Sequence, residues 1–90
     1  MAKRGKLEII QNILKLIQEN RNSIRPTPLL RKSGLSSLRF KEYYQELLEK
    51  KLIHEISSKD NEKHISLTEL GFKFLQRYSA IVDFIDEFDL

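Results

Sequence analysis

The chain has no cysteine and no tryptophan, and only three glycines, two prolines and one methionine in 90 residues. Without cysteine there are no disulfides and no thiolate metal ligands, and the redox compartment is left open. Long apolar runs are missing too. The longest spans a few residues, against the ~18 that a membrane-spanning helix needs, and no signal-peptide core follows the basic start MAKRGK. These absences predict a soluble, intracellular protein. No glycine-rich phosphate loop occurs, and the only two histidines are His54 and His64. Both fall in short extended segments, where they are expected to face one another across a hairpin. A pair of imidazoles without a thiol or a suitably placed carboxylate is a poor metal site, so a structural role, or a pH-sensitive one, is the expectation. Ser36 and Ser37 read as helix caps with no histidine near them in sequence to make either a nucleophile, and the sequence implies no enzyme, no cofactor and no metal.

A chain this short makes one domain with a modest core, and gains from a partner's surface. Its formal charge of +3 is unevenly spread. Residues 1–41 carry ten Lys/Arg against two Glu, net +8, whereas residues 42–90 carry six against eleven acids, net −5. Such a polarity suits a protein that turns its N-terminal half towards a polyanion and its C-terminal half away.

Apolar residues set the element order. Leu7, Ile10, Leu14 and Ile17, widened by Ile9, Ile13 and Leu16, predict an amphipathic helix over 7–19 that needs cover on two sides. Ile24 and Arg25 must be extended before Pro26. Thr27 then reads as an N-cap with Pro28 in the first turn of a short helix over 28–33, stopped by Gly34 in the left-handed region. Ser36 or Ser37 caps the next helix, which runs to about Lys50. Phe40, Tyr44, Leu47 and Leu48 make its core face; Leu38, Lys41, Glu42, Gln45 and Glu49 make its outward face. Strands over 52–56 and 64–67 flank a polar loop, and Ile24–Arg25 is a third pairing segment. Thr68 caps a last helix to about Phe88, ~30 Å long. Within it Gly71 marks a close approach to another element. Phe74, Tyr78, Ile81, Ile85 and Phe88 recur every three or four residues, with Val82 alongside, which is a heptad-like seam. No later segment can bury its last turns, so a second copy of the chain is the expected cover, with the acidic Asp83, Asp86, Glu87 and Asp89 at its far end.

Two helices across a glycine turn, then a polar hairpin, is the order of a winged helix-turn-helix. The expected fold is mainly α with a small β-hairpin wing, residues 1–67 forming the winged helix-turn-helix with a basic arm and 68–90 a long C-terminal dimerisation helix. In such a fold the second helix enters a DNA groove. Ser36 and Ser37 would hold a phosphate at its N-terminus. Lys41 and Gln45 are the candidates for base edges, with Leu38 beside them able to touch a thymine methyl, and Arg39 set to the side for the backbone. Arg25, Arg31, Lys32, the wing's Lys59 and Lys63, and Lys3 and Arg4 of the arm would clamp phosphates. The wing's Asp60 and Glu62 limit it to a glancing contact.

The run LSSLRFKEYYQELLEKKLI, the hairpin, and HISLTELGFKFLQRY resemble the small winged-helix proteins of Sulfolobus and other thermophilic archaea, including the chromatin-associated ten-a type and related plasmid or viral regulators. The resemblance spans nearly the whole chain. It implies a DNA-binding homodimer whose long C-terminal helices pair, commonly as an antiparallel coiled coil. Two positions depart from that pattern: Lys51 stands where glycine is usual before the first wing strand, and Leu38 replaces a polar or basic residue. The reading is therefore a homodimeric, sequence-recognising double-stranded DNA-binding protein that regulates transcription, located with its target DNA in the cytoplasm or nucleoid, or in a host cell if plasmid- or virus-encoded. No membrane partner and no small-molecule effector is expected. An architectural chromatin protein and a winged-helix protein-interaction module are the alternatives.

Overall fold

Five aliphatic side chains on one stripe of helix α1 (Lys6–Glu19), namely Ile9, Ile10, Ile13, Leu14 and Ile17, form the centre of the core. The computed structural model describes residues 5–89. After α1 come α2 (Pro26–Ser33), α3 (Ser37–Glu49), β1 (Ile53–Ser57), β2 (Lys63–Leu67) and α4 (Glu69–Glu87). Leu7, part of the expected stripe, is instead 59% exposed.

A tight turn ends α1. Arg21 and Asn22 both take left-handed angles, φ 60° and 57°. Asn22 Oδ1 accepts the Leu67 N–H at 2.8 Å, which ties the turn to β2.

Helix α2 starts two residues earlier than the sequence suggests, and Thr27 is not its cap. Arg25 holds the cap position in an extended conformation, with Pro26 first in the helix. The physical reason is the proline itself: its ring fixes a helical φ suited to the first helical position, and Arg25 before it takes the extended geometry that a following proline favours, ψ 156°. Pro28 is then third, where an amide proton still has no carbonyl to meet; the first intrahelical bond runs from Leu29 N–H to Arg25 O. Gly34 closes the helix with φ 74°. Ser33, buried, donates to Leu30 O at 2.7 Å and accepts from Leu35 N–H at 3.2 Å, fixing the turn into α3.

Ser36 caps α3 by accepting the Arg39 N–H at 3.2 Å. At the other end Lys51 N–H reaches Leu48 O and Leu52 N–H reaches Leu47 O, both at 3.0 Å. That pair of bonds requires a left-handed residue at Lys51, whose φ is 60°, in the position glycine usually fills.

Strands β1 and β2 pair antiparallel, and Ile24 joins β2 through a single bridge to Ile65. The sheet is thus two-stranded, with one bridged residue in place of a third strand. The histidines do not face one another: the register sets His54 opposite Ser66 and His64 opposite Ile56. His64 Nδ1 lies 3.3 Å from Ser23 Oγ. Strand β1 is shifted one residue later than expected because Leu52 is taken up by the α3 terminus, and β2 starts one residue earlier, with Lys63 paired to Ser57.

Thr68 links three elements. Its hydroxyl donates to Lys51 O at 2.6 Å and accepts from Gly71 N–H at 3.1 Å, while its N–H meets Leu52 O at 3.1 Å. A side chain at Gly71 would run into the Leu52 carbonyl. Gly71 and Leu75 are the buried residues of α4. The later turns project, which gives principal extents of 49 × 27 × 22 Å.

Candidate nucleic-acid interface

Burial divides α3 into two faces. Phe40 and Leu47 are buried in the core, and Tyr44 and Leu48 pack partly against it. Leu38, Lys41, Glu42, Gln45 and Glu49 lie on the opposite side, all exposed, and Leu38 is 70% exposed. Leu38 therefore makes no packing contact that would hide it against α2. Ser36 and Ser37 start the helix at the surface, and Ser36 Oγ is engaged as the cap. The free amides of the first turn point out of this end.

The cationic candidates divide by partner. The Arg39 guanidinium sits 6.0 Å from the centre of the Tyr43 ring, to the side of the outward face. Arg25 Nη2 lies 2.6 Å from Glu62 Oε2, so the base of α2 is tied to the hairpin loop. Lys63 Nζ lies 3.5 Å from Glu55 Oε2. Arg31, Lys32, Lys41 and Lys59 are exposed and form no ion pair among the described residues. Exposed pairs are worth at most about 1 kcal/mol, so an incoming phosphate can displace either carboxylate. Glu42 does not pair with Lys41 among the described residues. Lys3 and Arg4 lie outside the described residues.

Two polar ties fix α3 beneath this face. The Tyr44 hydroxyl donates to Glu55 of β1. Burial pushes the phenol's pKa up, and the bond to Glu55 adds to the shift. At the far end Glu46 Oε2 is 2.8 Å from Lys6 Nζ and 3.3 Å from Lys50 Nζ. The hydrogen bond to Glu46 raises the Lys6 pKa, and the same bond lowers that of Glu46 against a smaller opposing effect of burial.

The C-terminal seam is open. Phe74 and Tyr78 are half-buried, with rings stacked at 6.1 Å; Ile81, Val82, Ile85 and Phe88 are exposed. A groove of about 720 Å³ runs between α4 and the start of α1, floored by Leu7, Phe74, Tyr78 and Ile81 and rimmed by lysine and arginine side chains. Sequence reading missed Leu7, Leu70 and Phe84 as surface residues, which are 59%, 50% and 55% exposed. For Phe84 the signal was present: it follows Ile81 by three residues and precedes Phe88 by four, and its ring packs on Phe88 at 4.9 Å.

Among the described residues, no group of three or more His, Cys, Asp or Glu side chains is placed to hold a metal, and no helix is long and apolar enough to cross a membrane. A profile of the family described as winged helix-turn-helix matches residues 3–86. No curated protein matches the sequence. Among solved structures the chain is similar to MepR, a transcription regulator of the Staphylococcus aureus multidrug efflux pump MepA, with TM-score 0.77 and 18% identity over 88% of this chain and 59% of that one. It thus spans under two thirds of MepR. It is also similar to Sso10a-2, a DNA-binding protein from Sulfolobus solfataricus, with TM-score 0.74 and 16% identity over 94% and 85% of the two chains. A winged-helix DNA-binding protein from STIV matches with TM-score 0.73 and 20% identity over 89% and 91%.

Proposed function

The chain belongs to the winged helix-turn-helix family, and we propose that it binds double-stranded DNA as a homodimer and regulates transcription by occupying its site. The observation that carries the reading is the outward face of α3. It is solvent-exposed along its length, presents Lys41 and Gln45 one turn apart, and opens with a serine-capped N-terminus directly after the exposed Arg31 and Lys32. A helix N-terminus and these cations suit phosphates, and Lys41 and Gln45 suit base edges. Arg25, Arg39, Lys59 and Lys63, with Lys3 and Arg4 of the arm, complete the phosphate contacts. Structural relatives that are themselves DNA-binding proteins or transcription regulators support the same assignment. In this reading residues 1–67 form the DNA-binding unit and 68–90 the dimerisation helix.

The dimer rests on a separate observation. Ile81, Val82, Phe84, Ile85 and Phe88 are exposed on one projecting helix, a contiguous apolar surface of the kind that marks an interface. A second α4 of the same sequence is long enough to cover it, and the apolar surface continues through Ile81 into the groove beside α1. Two recognition helices fixed by this spine would read half-sites at a set separation. Selection from a random duplex pool, followed by footprinting, tests the function: a selected site with two protected half-sites is expected, and failure to retain any duplex removes the assignment. Glu42 and Glu49 on the outward face of α3 favour a second reading, an architectural protein with weak sequence preference, because carboxylates there reduce the number of base readers. Equal affinity for selected and random duplex at matched salt would choose it.

A further inference from the structure

Leu38 lies at the centre of the outward face of α3, diametrically opposite the buried Phe40–Leu47 side, in the first turn of the helix and flanked by Lys41, Glu42 and Gln45. At 70% exposed it is the most exposed large apolar side chain among the described residues. The others, apart from Ile56 on the hairpin, belong to α4 and to Leu7 at the groove beside it, so the dimer that covers α4 does not account for Leu38. Its neighbours one turn along α3 are charged, and no apolar patch surrounds it.

Resting on the DNA-binding reading above, we infer that Leu38 is a specificity-determining residue that recognises the 5-methyl group of a thymine in the major groove. The argument is one of matching chemistry. Of the four bases only thymine carries a methyl group in the major groove; guanine, adenine and cytosine are told apart there by their donors and acceptors. A leucine at the leading end of the helix, with no protein surface to pack on, gains free energy from that methyl. Against a purine edge it would strip water from polar atoms without replacing their partners, and against cytosine it loses the methyl contact. Lys41 and Gln45, one and two turns further on, read the neighbouring pairs. Arg39 is held aside by the Tyr43 ring and serves the backbone, leaving Leu38 alone at that position of the groove.

The test replaces each thymine of a selected site, one at a time, by deoxyuridine, which removes only the methyl group. Wild-type protein is expected to bind about fourfold more weakly at one position in each half-site, the worth of one buried methyl group, and to ignore the other substitutions. Leu38→Ala should bind the parent site more weakly by a similar factor and lose its sensitivity to uracil at that position. Leu38→Met, which keeps an apolar side chain, should retain it. Both variants should melt like the wild type, since the site is exposed. The inference is overturned if no uracil substitution changes wild-type affinity, if Leu38→Ala keeps the full uracil penalty, or if selection returns no preferred sequence while duplex is still bound. Absence of duplex binding altogether would instead remove the function on which it rests.

Discussion

Gly71→Ala isolates the joint between α4 and the winged domain. A Cβ at Gly71 would lie far inside van der Waals contact with the Leu52 carbonyl oxygen, and Leu52 C and Leu67 Cβ, at 3.3 and 3.4 Å, close off sideways relief. The obstacle is backbone, and it cannot rotate away as a flexible side chain would. Leu52 O also accepts the Thr68 N–H at 3.1 Å, so lifting the first turn of α4 strains the bond that seats its cap. Overpacking of this kind costs about 1–3 kcal/mol, and a weakened hydrogen bond costs up to about 1 kcal/mol more. Alanine's better helix propensity returns about 1 kcal/mol. The net expectation is a loss of up to about 3 kcal/mol, or a fall in Tm of up to ~24 °C for a domain of this size. Circular-dichroism melts at several protein concentrations, to allow for dimer dissociation, measure it. A Gly71→Ala protein that melts at or above the wild-type temperature would refute the claim that this glycine exists to let α4 approach Leu52.

Other expectations follow from single features. Light scattering should give the wild type the mass of the proposed dimer and Ile85→Asp, which places a charge in the exposed seam, that of a monomer; a monomeric wild type, or an unchanged mass in the variant, would contradict pairing through α4. Lys51→Gly relieves a left-handed residue with φ 60° and should raise stability by about 1 kcal/mol; no gain in Tm would mean that the terminus is unstrained. For Tyr44 the folded-state pKa lies above its ordinary value of 10.0. Its contribution to stability is therefore complete below pH 10.0 and disappears as pH rises through the folded-state value, because the unfolded chain ionises first. Melting curves from about pH 8 to about pH 11.5 should show the wild type losing its advantage over Tyr44→Phe only above about pH 10, and a constant difference would contradict the burial and the Glu55 bond that together raise the phenol's pKa.

Much of this architecture was legible because it rests on local rules. Gly34 was readable as the left-handed stop, Ser36 or Ser37 and Thr68 as caps, and Gly71 as the place where a first turn meets another element; each needs only a few neighbouring residues to be read. Lys51 was visible as a lysine in a glycine position, and it adopts the glycine conformation. The start of α2 was misjudged between two prolines, because Thr27 is the better capping side chain while Pro26 has the stronger backbone constraint. What sequence could not supply were contacts between distant segments. Arg25 with Glu62, Tyr44 with Glu55, Lys6 with Glu46 and Asn22 with Leu67 depend on how the hairpin and helices dock. Those ties decide which cations keep carboxylate partners, so the candidate interface was open to the sequence as a set of residue types and closed to it as a pattern of charge. The hairpin register is of the same kind: a slip of two residues separates His54 from His64, and nothing local fixes it.

The central claim is that the outward face of α3 and the turn before it meet the phosphates and bases of duplex DNA. Fluorescence anisotropy of a labelled duplex of ~25 bp, titrated between about 50 and 200 mM salt, tests it directly. The wild type should bind at the low end and weaken steeply as salt rises. The combined variant Arg31→Ala, Lys32→Ala, Lys41→Ala should bind more weakly, with a log–log salt slope smaller by up to about three, roughly one for each phosphate no longer neutralised. No binding at low salt, or a triple variant with wild-type affinity and slope, would contradict the account.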